Sequence, residues 1–272
     1  MSSVEESEEE RLLESCRLGD YKEVEKNVDQ KFVISLFIEP IDTEDFLEQD
    51  NYTTQVSSFL EVRDDYGDTP LIISSRNGYT DIVLLLLLMG ASPKTVNNDG
   101  SNCLIEASEN GKVETVSLLL RRNLVDPNVQ DNEGYTALIT ATGHFEKKTI
   151  SILLDCPETN PNLVDMDGNT ALHYLCSKIC ENEQEKKLSL DIIWLFYNKT
   201  TRIEIDFNIK NKQGITPFQE AVASENYLLV EFLCRIEKVD KYIECYHGDT
   251  LLEEAKKNNN TTMVEMFENL KI

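Results

Sequence analysis

Glycine returns in this chain at a nearly fixed interval, each time opening the same short phrase. Gly67 opens Gly-Asp-Thr-Pro-Leu, Gly100 opens Gly-Ser-Asn-Cys-Leu, and Gly134 opens Gly-Tyr-Thr-Ala-Leu. Gly168 opens Gly-Asn-Thr-Ala-Leu-His, Gly214 opens Gly-Ile-Thr-Pro-Phe, and Gly248 opens Gly-Asp-Thr-Leu-Leu. The steps between them are 33, 34, 34, 46 and 34 residues. Self-similarity at this period restricts the chain to a stacked array. A unit so short cannot bury an apolar face alone and covers it with its neighbours.

Each unit reads as a turn, a short helix, a reversal and a longer helix. In the first full unit, Asp64-Asp65-Tyr66-Gly67-Asp68 is the turn, Thr69 is a good helix cap, and Pro70 suits the first helical position. Gly78 ends this helix. The second helix, from Asp81 to Met89, turns Ile82, Val83, Leu85 and Leu86 inward. The last unit repeats the plan with Leu252, Ala255, Val264, Met266 and Phe267, and its outer side is polar, as a terminal cap requires. At the other end Ser7 and Glu10 form a capping box ahead of Arg11–Val24, with Gly19 at the reversal. The third unit lacks the reversal glycine in register, with Phe145 there and Gly143-His144 just before.

The Thr-Pro-Leu or Thr-Ala-Leu-His phrase at this period resembles the ankyrin-repeat family over about residues 7–272. The resemblance implies an all-α ankyrin-repeat solenoid of stacked helix pairs with β-hairpin-like turns. Only one unit keeps the family's histidine, His173; Ile72, Ile105 and Ile139 replace it in the earlier units. The expected organisation is an acidic tail (1–10) and an N-terminal capping repeat with an insertion (11–62, insertion 30–62). Five internal repeats follow (63–244, charged insertion 179–187), then a C-terminal capping repeat (245–272). Gly19 to Gly67 spans 48 residues where Gly78 to Gly100 spans 22, which is the measure of the first insertion. That stretch contains the apolar run Phe32–Ile38, read as packing back on the array or meeting a partner. The second insertion, at Glu181–Lys187, reads as a charged surface loop.

Composition sets what such an array can hold. There are 50 Asp plus Glu against 26 Lys plus Arg, a net charge of −24. This excess repels nucleic-acid backbones and anionic membranes and favours basic protein partners. The longest apolar run, Ile82 to Met89, is far short of the ~18 residues that span a bilayer. The N-terminus is acidic rather than a secretory leader, and 7 cysteines are scattered singly. Reduced thiols and a cytoplasmic or nuclear location are expected.

No catalytic set is visible, and no enzyme activity or cofactor is expected. The three histidines, His144, His173 and His247, fall in different repeats, and no phosphate-binding loop is present. His173, Cys176 and Cys180 share one helical face in spacing, yet a structural zinc site wants a fourth ligand that the surrounding residues do not supply. Buried free cysteines are the expectation, and no metal.

The resemblance further implies that turn tips and the exposed sides of the first helices line a concave groove. Carried over position by position, the partner-binding candidates are Asp65, Tyr66, Asp68, Arg76, Asp99, Glu109, Glu133, Tyr135 and Asp167. Six of these are acids, and the two tyrosines are the anchors expected of hot spots. The expected function is a non-enzymatic protein–protein interaction module, an adaptor, scaffold or inhibitor, holding a Lys/Arg-rich protein segment on an acidic face. The chain is expected to be a monomer. The alternative is an assembly-chaperone-like subunit masking a basic surface of a larger complex.

Overall fold

The structure is a computed structural model that describes residues 7–29, 59–121, 123–199, 202–243 and 249–270. The apolar run Phe32–Ile38 lies outside the described residues, as does His247. Among the described residues there are fourteen α-helices and no strand beyond an isolated bridge between Val96 and Asn102. The chain divides into two compact units, residues 1–132 and 133–272.

The first unit contains α1 (Glu8–Leu18), α2 (Tyr21–Asp29), α3 (Pro70–Asn77), α4 (Thr80–Leu88), α5 (Cys103–Glu109) and α6 (Val113–Arg121). The second contains α7 (Ala137–Gly143), α8 (Lys147–Asp155), α9 (Ala171–Ser177) and α10 (Glu183–Asn198). It ends with α11 (Pro217–Ala223), α12 (Tyr227–Arg235), α13 (Leu251–Lys257) and α14 (Thr261–Leu270). Odd-numbered helices are the first members of each pair and even-numbered helices the second. In the first unit α1, α3 and α5 pack in succession, as do α2, α4 and α6. In the second unit α7, α9 and α11 form one row and α8, α10, α12 and α14 the other.

The caps start each first helix where the repeated phrase places them. The Thr69 side chain accepts from the Ile72 N–H with Pro70 at the first turn, and Thr136, Thr216 and Thr250 repeat this with Ile139, Gln219 and Glu253. Each such cap stabilises its helix by roughly 1 kcal/mol. Ser7 and Glu10 close a reciprocal capping box on α1. The reversal between paired helices is left-handed in every pair but α9–α10, where Lys178 has φ −66°. Gly78 has φ +79° and Gly111 +62°, while Phe145 has +60°, Glu225 +54° and Asn259 +55°.

Two expectations change. The charged stretch Glu183–Lys187 is no loop: it forms the first turns of α10, which runs 16 residues where α8 and α12 run 9. Asn182 caps it by accepting from the Gln184 and Glu185 N–H groups. In the last pair the core places belong to Leu251, Ala255, Met263 and Phe267, whereas Leu252, Val264 and Met266 are only half-covered. The buried four recur at i, i+4 on each helix, the spacing that keeps side chains on one face.

Candidate functional site

The turns between repeats are built the same way in both units. One Asp or Asn side chain, three residues before the glycine, accepts two backbone N–H groups across the turn. Asp64 Oδ1 takes those of Tyr66 and Asp68, both at 2.9 Å, and Asn97 Oδ1 those of Asp99 (3.1 Å) and Ser101 (2.9 Å). Asp165 and Asn211 do the same in the second unit. Consecutive tips are then joined through the backbone. Asn98 N–H donates to Tyr66 C=O at 3.1 Å and Asn132 N–H to Asp99 C=O at 2.9 Å. In the second unit Met166 N–H donates to Glu133 C=O and Lys212 N–H to Asp167 C=O, both at 2.8 Å.

This ladder explains the glycine in the phrase. Gly67 has φ +76°, and a Cβ there would stand 2.9 Å from the backbone nitrogen of Asn98. At Gly134, φ +86°, it would stand 2.9 Å from the Cα of Asp165. A side chain would be strained at either position and would also push the next tip away.

The ladder also sorts the candidate residues. Those before the glycine face water: Asp65, Tyr66, Asp99, Glu133 and Asp167 are exposed, Tyr66 by 72%. Those after the glycine turn inward. Asp68 is fully buried, so it offers no free acid to a partner. Arg76 Nη2 donates to Asp68 Oδ1 at 3.0 Å while Nη1 donates to Oδ2. Arg76 Nε reaches Glu106 at 2.7 Å, and the Asn97 amide donates to Asp68 (2.9 Å) and Glu106 (3.1 Å). Burial alone would pull the Arg76 pKa down, but the hydrogen bonds and charges of Glu106 and Asp68 outweigh it and raise it. Asp68 and Arg76 thus knit two repeats together.

Tyr135 occupies the same inward position in the second unit. It is half-buried, with its ring edge-to-face on Tyr174 at 5.8 Å and its hydroxyl within hydrogen-bond distance of that of Tyr174, at 3.2 Å. The Tyr174 hydroxyl also donates to Asp165 at 2.5 Å, and burial followed by this bond raises its pKa. Glu109, near the end of α5, is half-buried. At the turn tip of the second unit the exposed apolar side chain is Met166, at 63%. It stands beside Asp167 at the turn-tip position that the family resemblance assigns to the groove. Outside the turns, Trp194, Tyr197 and Phe232 form a surface cluster on α10 and α12, with ring centroids 5.6–6.0 Å apart.

The remaining chemistry is structural. His173 Nδ1 accepts from Thr170 N–H at 3.0 Å and Nε2 donates to Ile215 C=O at 3.0 Å, so both ring nitrogens are engaged. Burial pushes the Cys16 and Cys103 thiols up to about 12 and Cys234 to about 11, and it raises Cys176 as well. Thiols so shifted stay protonated and are poor nucleophiles and poor metal ligands. Among the described residues no group of three or more His, Cys, Asp or Glu is placed to hold a metal ion, and no helix is long and apolar enough to cross a membrane.

A family model for ankyrin repeats, in three copies, matches residues 47–131 and 104–190, together more than half of the chain. No curated protein matches the sequence. Among solved structures, the chain resembles the crystal structure of EF0377, an ankyrin repeat protein, with a TM-score of 0.64 at 23% identity. That likeness covers 84% of this chain and 98% of the other and shows the fold. The repeat period, the turn ladder, the paired helices and the family match agree: the chain belongs to the ankyrin-repeat family.

Proposed function

We propose that the chain is an adaptor, scaffold or inhibitor that holds a Lys/Arg-rich protein segment against acidic turn tips. Ankyrin repeats are protein-interaction modules and generally not enzymes. The observation that carries the finer reading is the exposed trio Asp65, Tyr66 and Asp99. The first two occupy one tip and Asp99 the next, and the Asn98 amide bond to Tyr66 C=O fixes the spacing between the tips. Two carboxylates beside an exposed aromatic ring offer charge attraction and a packed contact to a basic side chain. Glu133 and Asp167, with Met166, present a similar arrangement in the second unit. Asp68, Arg76 and Tyr135 act behind this surface by holding the turns. The free buried thiols Cys16, Cys103, Cys176 and Cys234 accord with the reduced milieu of cytosol or nucleus.

The test is binding of a Lys/Arg-rich peptide, by stopped-flow, to the intact chain and to an Asp65→Asn/Asp99→Asn variant across salt concentrations. Exposed charges act over about 8 Å at 0.15 M salt. Neutralising them should slow association and flatten its salt dependence with little change in dissociation. Equal association rates for the two proteins at every salt concentration would refute the acidic-tip reading.

A further inference from the structure

The register of the Arg76 arrangement in the first unit recurs in the second, where the arginine and its Asp68 partner are both replaced by apolar residues and one acid is kept. Arg76 is the seventh residue of α3; it reaches Asp68, the residue after Gly67, and Glu106, the fourth residue of the next repeat's first helix. In the same register α11 carries Ala223 as its seventh residue, Ile215 follows Gly214, and Glu254 is the fourth residue of α13. These three residues, Ile215, Ala223 and Glu254, line one cavity of about 250 Å³ between α11 and α13. At the register where the Arg76 side chain lies in the first unit, the cavity is lined by the Ala223 methyl. Helix α11 packs closely on α9 and α12 but meets α13 only sparsely.

The cavity is acidic: Glu254 has the Lys257 ammonium within electrostatic reach, whereas no cation answers Glu220 among the described residues. Glu220, half-buried on α11, lines it and makes no carboxylate hydrogen bond or ion pair among the described residues; burial raises its pKa. Glu225 is engaged by the Asn260 amide at 3.0 Å. The nearby lysines are committed elsewhere, Lys256 to Glu268 at 3.0 Å and Lys257 to Asp249. A half-covered carboxylate without a partner is unfavourable, and a planar, weakly hydrated guanidinium that bonds in a fork is the group that best offsets it.

We propose that the cavity between α11 and α13 is a subsite for an arginine side chain supplied by the protein partner, seated over Ala223 against half-buried Glu220, with exposed Glu254 on the facing helix. This rests on the reading of the chain as a binder of basic segments and names where one arginine of that segment goes. An exposed tip contributes attraction at a distance. The subsite contributes a partly desolvated pair, which governs dissociation. Ala223 is the residue that decides the matter, because its small side chain leaves the slot open to a partner.

The experiment uses the intact chain with N-acetyl-arginine amide as probe and N-acetyl-citrulline amide as its uncharged control. It follows the methyl resonances of Met263, Ala223 and Ala255, all of which line the cavity. Saturable shifts at these methyls with the arginine compound, and none with citrulline, are expected. Glu220→Gln should weaken the interaction about tenfold, the order of one charge-assisted pair, without lowering Tm, because no internal bond is lost. Ala223→Arg should fill the slot from within, raise Tm and abolish the shifts. Unchanged affinity in both variants, or equal shifts with citrulline, would overturn the proposal. A basic peptide that loses affinity for Asp65→Asn/Asp99→Asn but binds Glu220→Gln and Ala223→Arg like the parent overturns the subsite and leaves the acidic tips standing. Arginine amide seating here, with no basic protein segment bound anywhere, supports the subsite and sinks the wider reading.

Discussion

Arg76 grips both carboxylate oxygens of Asp68, which is wholly buried, with Nη2 to Oδ1 at 3.0 Å. The pair closes one turn onto its own helix, and the Arg76 bond to Glu106 carries the tie to the following repeat. A residue that reads as a free acid on a binding surface is therefore a brace beneath it.

Asp68→Ala should cost the first unit about 3 kcal/mol, near the lower end for breaking a buried pair, because the Arg76 side chain is itself about a third exposed. Arg76 and the Asn97 amide would each lose a partner. Chemical denaturation of the variant checks this, and a change below about 0.5 kcal/mol, the range of an ordinary surface substitution, would show that the pair does not brace the turn.

Tyr66→Ala should behave in the opposite way. The ring is 72% exposed, so its removal should leave Tm within the scatter of surface substitutions. Affinity for the basic segment should fall by about 2 kcal/mol, mostly through faster dissociation. Surface plasmon resonance at constant salt separates the two rates; an unaltered dissociation rate would remove Tyr66 from the interface.

Leu138→Ala tests the assigned register. Leu138 is buried to 1% exposure on α7, which packs on α8 and α9. The loss expected for a leucine-sized cavity is roughly 2–5 kcal/mol. A melt within a degree or so of the parent would mean that α7 does not pack as described.

Gly67→Ala should destabilise by at least the ~1 kcal/mol that a side chain costs in the left-handed region. Crowding of the Asn98 backbone adds to this, since the new Cβ would lie 2.9 Å from its nitrogen. Hydrogen exchange at the Asn98 amide, which donates to Tyr66 C=O, should quicken. Undiminished protection there would separate the glycine from the tip ladder.

His173 makes stability depend on pH in a defined direction. Burial lowers its pKa, against the raising influence of Ile215 C=O and of Asp165. Its Nδ1 must stay unprotonated to accept from Thr170 N–H. Below the ordinary histidine value of about 6.5 the unfolded chain therefore binds a proton that the folded one resists, and stability falls as pH drops toward the folded value. His173→Gln should keep the cap, as Gln219 does by accepting from Thr216 N–H at 2.9 Å, and should flatten the difference between pH 7 and pH 5.5. Parallel pH profiles for the two proteins would exclude His173 as the source.

The sequence by itself determined the period, the turn-and-helix-pair plan, the cap at Thr69 and the reversals at Gly19 and Gly78. Each of these is a local matter of backbone conformation or spacing along one segment. Even Phe145, where glycine is missing, sits in the register that demands φ +60°. The tertiary structure decided which polar residues are free. Tyr66 and Asp68 flank the same glycine, yet one points to water and the other into a network with Arg76, Asn97 and Glu106. Coverage of a side chain is set by the neighbouring repeat, some thirty residues away, and not by its own phrase. The same holds for α10, whose charged first turns read as a loop until the Asn182 cap and the rows of helices α8 and α12 show a helix continued. It holds as well for the cavity at Ala223, because a missing arginine is visible only when the slot it would fill is compared with one that is filled.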